Sequence, residues 1–161
     1  MVICTLRDGT YDFVLLLHLV AVVVGFGGVL LNGLYGAQAK KRPGPGGLAI
    51  AEANYFVSTR VAEIAIYLVP LFGFALVGLS DSAWSLSDTW VWGSIVLYVI
   101  GLLIARLVMV PTSARMIEMM RTGAPDPAEM EAASKRLAAF GGAEHLVFVL
   151  IMILMIWKPG A

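Results

Sequence analysis

The sequence predicts an all-α polytopic membrane protein: a bundle of four transmembrane helices, up-down-up-down, with both termini outside. Three observations predict it. Of 161 residues, 60% are hydrophobic and only 14% charged, against about 45–50% and about 25% in soluble domains. The mean hydropathy is +0.87, an excess that so short a chain cannot hide in a dry core. The apolar residues fall in four long runs, and Lys and Arg gather on one side of them. The same composition excludes a disordered chain, a disulfide framework and a basic nucleic-acid binder. There is one cysteine, Cys4, the net charge is +0, and no basic run is longer than Lys40-Lys41-Arg42.

The four runs are 11–35, 61–78, 90–110 and 137–157, each 18 to 25 residues long. That length crosses a hydrocarbon core of about 30 Å at 1.5 Å per residue. Backbone groups in lipid must be satisfied within the segment, so each run is expected to be helical. Little chain is left for a soluble domain, and 1–161 reads as a single transmembrane domain.

Between the first two runs, Arg42-Pro43-Gly44-Pro45-Gly46-Gly47 reads as a flexible link. A short helix over 48–59 then leads into the second run. Pro70 lies inside that run, where a kink is tolerable in a bundle. Pro111 marks the cytoplasmic exit of the third run, and 122–125 reads as a turn. Asp126-Pro127-Ala128-Glu129 then has the form of an N-cap, proline at N1 and Glu at N3. The helix that starts there is therefore expected to run unbroken into the fourth span, making the cytoplasmic connection 111–136 a helical hairpin.

Charge orients the bundle. Lys40, Lys41, Arg42 and Arg60 flank the first connection, and Arg115, Arg121, Lys135 and Arg136 the third. The second connection has no Lys or Arg. The positive-inside rule puts both basic loops in the cytoplasm and both termini outside, in the plasma (inner) membrane. Trp84, Trp90, Trp92, Trp157 and Tyr11 all fall at the outer ends, as one aromatic belt. A first span of this length is expected to stay as an anchor rather than be cleaved as a signal.

Small residues mark helix-packing faces in lipid. His18, Ala21, Gly25, Gly28, Asn32 and Gly36 recur at steps of three and four on the first span, so they share one inward face. Ser94, Tyr98, Gly101 and Ala105 make a similar stripe on the third. Gly141 and Gly142 thin the fourth just before Glu144 and His145.

The ionisable residues inside the spans are the informative ones. Arg60, Glu63, Arg106 and Glu144 fall in the cytoplasmic half and balance formally. Paired charges are the affordable arrangement in lipid. A network of these four is therefore expected across spans 2, 3 and 4, with Tyr67 and His145 as neighbours. Its plain reading is a structural clamp with snorkelling; its sharper one is a proton or ion path or an anion site. For His18 a polar packing role competes with axial ligation of a haem or metal, on a face cleared by glycines. His145 is the weaker candidate, because Glu144 and the arginines already account for a polar spot. The two histidines differ in depth by about 10 Å, which argues against one haem between them. Met116, Met119 and Met120 cluster without a Cys or His partner, so copper is the less favoured metal.

Leu17-His18, followed by Gly27-Gly28, resembles the first-helix signature Leu-His … Trp-x-Gly-Gly of several bacterial membrane families. These include the copper-resistance D-type proteins and the haem-associated protoporphyrinogen oxidase of the HemJ type. The resemblance implies His18 as a haem or metal ligand. This chain has Gly25 where those families usually have Trp, and no Lys inside a span where the HemJ type places one. Over its whole length the layout resembles an uncharacterised family of predicted bacterial four-span integral membrane proteins.

Three functions follow as expectations. The first is a cofactor-binding membrane protein using His18, with the arginines available for haem propionates. The second is a non-catalytic accessory or assembly subunit, or a homo-oligomer, in a larger membrane complex. The third is an ion or proton transporter through Arg60, Glu63, Arg106 and Glu144. No phosphate-binding loop, nucleophile elbow or zinc spacing appears, so the reading leans away from an enzyme.

Overall fold

The computed structural model describes residues 2–81, 83–123 and 126–160, the stretch 2–8 by backbone alone. Cys4 and Arg7 therefore have no described side chain, and Ala124 and Pro125 of the turn read at 122–125 lie outside the described residues. The chain forms four long helices: α1 (Val2–Lys40), α2 (Pro45–Gly78), α3 (Thr89–Arg121) and α4 (Pro127–Trp157). All four are long and apolar enough to cross a membrane. Below, the end of the bundle with the α1–α2 and α3–α4 connections is the basic end; the other is the aromatic end.

Each helix outruns its apolar stretch, because hydropathy marks where lipid begins while helix breakers mark where the helix stops. Gly44, at φ 79°, makes the turn, and Pro45 opens α2 at a position where its missing N–H costs nothing. The expected link thus shrinks, and Gly46 and Gly47 are helical. Gly47 is needed there: a Cβ would lie 2.1 Å from the Arg42 carbonyl oxygen and 2.6 Å from that of Ala39. The helix expected over 48–59 is continuous with the second span.

Pro111 does not end α3, which continues to Arg121. A π-helical turn at Ala105–Met109 directly precedes the proline. Its looser i→i+5 pattern accommodates a ring that would clash with a regular preceding turn. A second π-turn, Val57–Ala62, lies in α2. Asp126 caps α4 as expected, its Oδ1 accepting from the Ala128 N–H at 2.9 Å, and α4 ends on Lys158 in the left-handed region.

The bundle is built as two hairpins, α1 with α2 and α3 with α4. In the first, small residues let the backbones approach. A Cβ on Gly25 would lie 3.1 Å from the Ile66 nitrogen, and one on Gly28 only 2.6 Å from Ala62 Cβ. Ala21 is buried on the same face, and Asn32 Oδ1 accepts from the Ser58 hydroxyl at 2.8 Å. In the second hairpin a Cβ on Gly101 would touch Val147, and one on Gly141 would touch Met109. Gly142 is not a packing residue: it is exposed, and a Cβ there would meet nothing within 4 Å. It stands one step, about 100°, around the helix from Gly141 and so off the buried face.

The hairpins meet where Phe26 stacks on Phe148, ring centroids 4.1 Å apart. The contacts Gly25–Ile66, Gly101–Val147 and Phe26–Phe148 define one level through all four helices. Outside this thin core, large apolar side chains face outward, among them Val23, Leu34, Leu107 and Ile156, each at least 65% exposed. That surface requires lipid contact.

Candidate functional site

His18 is wedged between α1 and α2 and only 9% exposed. Its Nδ1 lies 2.9 Å from the Val69 carbonyl oxygen, so the ring donates through Nδ1–H. That fixes the tautomer and leaves the Nε2 lone pair available. Gly73, one turn beyond Val69, makes room for the ring; a Cβ there would sit 3.4 Å from His18 Cε1. No group of three or more His, Cys, Asp or Glu side chains that could hold a metal ion is present among the described residues.

His18 precedes Phe26 by eight residues, about 12 Å toward the aromatic end, and His145 precedes Phe148 by three, about 4.5 Å toward the basic end. The histidines are thus about 16 Å apart in depth, and one haem cannot join them. His145 Nε2 is buried with no hydrogen-bond partner among the described residues.

The four expected network residues are not joined. Arg106 Nη1 pairs with Glu63 Oε1 at 2.7 Å, and the Tyr67 hydroxyl donates to the same oxygen at 2.7 Å. Glu63 is well covered, while the Arg106 side chain is 52% exposed. Arg60 is exposed and forms no ion pair with a described residue. The reason is local. Arg60 lies in the π-turn that ends at Ala62, and in that wider turn residues three apart no longer stack on one face. Glu144 is 3% exposed and has neither hydrogen bond nor ion pair among the described residues. It lies on the α4 face that carries Gly141 and Val147, hence toward α3 rather than toward α2.

Four features were not read from the sequence. Tyr98 on α3 reaches the Ile66 carbonyl on α2, although Pro70 signals that this carbonyl lacks its helical donor. The two π-turns leave no compositional mark. At the basic end Arg121 bridges to Glu52 at 2.8 Å, closing α3 on α2, and Arg115 pairs with Glu129. At the aromatic end Lys158 Nζ sits 3.9 Å from the centre of the Trp84 ring, which packs edge-on against Trp90.

Residues 12–159 match the model of a family described as "Predicted integral membrane protein (DUF2269)". The chain belongs to that family. No curated protein and no solved structure matches.

Proposed function

We propose that this member of the family is a haem-binding membrane protein that presents Nε2 of His18 as an axial ligand. The observation that carries the reading is the Nδ1–H bond to Val69 O at 2.9 Å, which orients the ring and fixes its tautomer. A bare copper or zinc ion is held by several side chains, and among the described residues His18 belongs to no group of three or more His, Cys, Asp or Glu that could hold one. A porphyrin brings four nitrogens of its own and asks the protein for one, so b-type haem suits this donor set better than a metal ion.

In this reading the group would supply one-electron chemistry, and the chain's part is to bury, orient and hold one imidazole. The arginines fit the propionates less well than the sequence suggests. Arg106 is engaged by Glu63, and Arg60 lies nine residues from Val69, about 13 Å toward the basic end. The protein would sit as a single domain in the plasma membrane, termini outside.

Haemin titrated into the detergent-solubilised protein tests the reading. The parent should bind stoichiometrically, and His18→Ala should bind at least about tenfold more weakly. Equal affinity and equal spectra for both would overturn it. The accessory-subunit reading has less support, because Gly25 and Gly28 of the small-residue face of α1 are used within the chain, against Ile66 and Ala62, although Gly36 of the same stripe is exposed and meets nothing within 4 Å. A second protein that co-purifies in fixed ratio with a colourless chain would restore it.

A further inference from the structure

Three charged groups of the bundle, Glu63, Arg106 and Glu144, lie at closely similar depths. Measured from the level of Gly25–Ile66 and Gly101–Val147, Glu63 and Glu144 lie about 4.5 Å and Arg106 about 7 Å toward the basic end, all within about one helical turn. One cation therefore stands at the level of two carboxyl groups, on the helix between theirs, and is bonded to only one of them.

Glu144 is the unusual partner. It is 97% buried inside the α3–α4 packing, a carboxyl group without a donor or a cation among the described residues. An ionised carboxylate so placed has a solvation cost of many kcal/mol, while the neutral acid has the smaller one of an unpaired hydroxyl. The groups around it offer little relief. From α3, Arg106 is bonded to Glu63 and Tyr98 to the Ile66 carbonyl. Helix α1 has no ionisable side chain between His18 and Tyr35. On α4 itself the neighbour is His145, whose buried Nε2 has no hydrogen-bond partner among the described residues.

The segment of α3 that Glu144 faces is the π-turn Ala105–Met109, bracketed by the contacts Gly101–Val147 and Met109–Gly141. Arg106 belongs to that turn. A π-turn holds one residue more than a regular turn and interrupts the i→i−4 ladder. Pro111 holds that turn in its π form, so a change of partner by Arg106 is a rotation of its long, half-exposed side chain.

We propose that Glu144 is a proton-binding site, and that Arg106 is the shared counter-ion which passes between Glu63 and Glu144 as the proton moves the other way. In the state described here Glu63 is the carboxylate paired with Arg106, and Glu144 is the neutral acid. In the second state the Glu144 O–H bond has broken, its carboxylate holds Arg106, and the proton resides on Glu63 beside Tyr67. One arginine, two carboxyl groups and one proton are conserved throughout, and neither state leaves a buried carboxylate unpaired. Such an exchange is the elementary step of a proton path. It uses α2, α3 and α4 and does not depend on a haem at His18.

Infrared difference spectra of the full chain in lipid, recorded through an acid-to-alkaline titration, test this. The parent should show the carbonyl stretch of a protonated carboxylic acid at neutral pH, and Glu144→Gln should lack it. Arg106→Gln should gain a second band of this kind, removed again in the Arg106→Gln/Glu63→Gln double variant, because Glu63 without its cation takes up a proton. The amide bands of the same spectra report whether each variant is folded. Identical carboxylic-acid regions in the parent and Glu144→Gln would overturn proton binding. A folded Arg106→Gln with the parent's spectrum would overturn the exchange.

Discussion

Tyr98 on α3 points its hydroxyl at the carbonyl oxygen of Ile66 on α2, 3.4 Å away, and that carbonyl is the one Pro70 deprives of its helical N–H donor. The proline inside one hairpin thus frees the acceptor that the other hairpin addresses. The bond is long, and interhelical hydrogen bonds in membranes average about 0.6 kcal/mol. Tyr98→Phe should therefore destabilise the protein by about 0.5–1 kcal/mol. In a Pro70→Ala background, where residue 70 regains its N–H, the same change should cost clearly less. Unfolding of the four proteins in mixed micelles, as a double-mutant cycle, measures the difference.

This relationship also shows where sequence reading stopped. Four apolar runs, their breakers and the Asp126 cap were legible because hydropathy and local backbone chemistry decide them. The middle of the small-residue stripe of α1 was legible because a regular helix has a fixed period, and Gly25 and Gly28 do meet α2, whereas Gly36, expected on the same inward face, is exposed and meets nothing within 4 Å. The charge network was not, because it assumed that period through residues 57–62. The π-turn there shifts the phase, separating Arg60 from Glu63. Nor does periodicity say which neighbour a face meets: Glu144 faces α3 and not α2.

The glycines of the first hairpin make a sharp prediction. Gly28→Ala would bring two Cβ atoms to 2.6 Å, and such overpacking typically costs about 1–3 kcal/mol. Ala62→Gly in the same chain should recover most of the loss. Gly142→Ala, which meets nothing within 4 Å, should be neutral or stabilising by up to about 1 kcal/mol through helix propensity. Thermal unfolding in one detergent compares all three.

The ion pair predicts a graded result. Arg106→Ala removes the cation of a well-covered Glu63, yet Tyr67 still donates to that carboxyl group and Arg106 is itself half exposed. A loss of about 1–2 kcal/mol is expected, between the values for surface and fully buried pairs. Arg60→Ala, with no partner to lose, should change unfolding by less than about 0.5 kcal/mol. Equal losses from the two variants would contradict the division of roles between them.

The orientation has its own check. A cysteine at Ser87, in the connection between α2 and α3, should react with a membrane-impermeant maleimide in intact cells, in a Cys4→Ser background. A cysteine at Lys41 should react only after the cells are opened. The opposite pattern would invert the topology that the basic loops imply.

The account's central claim, His18 as an axial ligand, is tested most directly by the reduced-minus-oxidised absorption spectrum of the protein purified in mild detergent from haem-replete cells. The account predicts a Soret band with the sharpened visible bands of a b-type haem in the parent, absent from His18→Ala of the same melting temperature. A haem spectrum that survives unchanged in His18→Ala would contradict it, as would a parent that remains colourless after haemin is supplied.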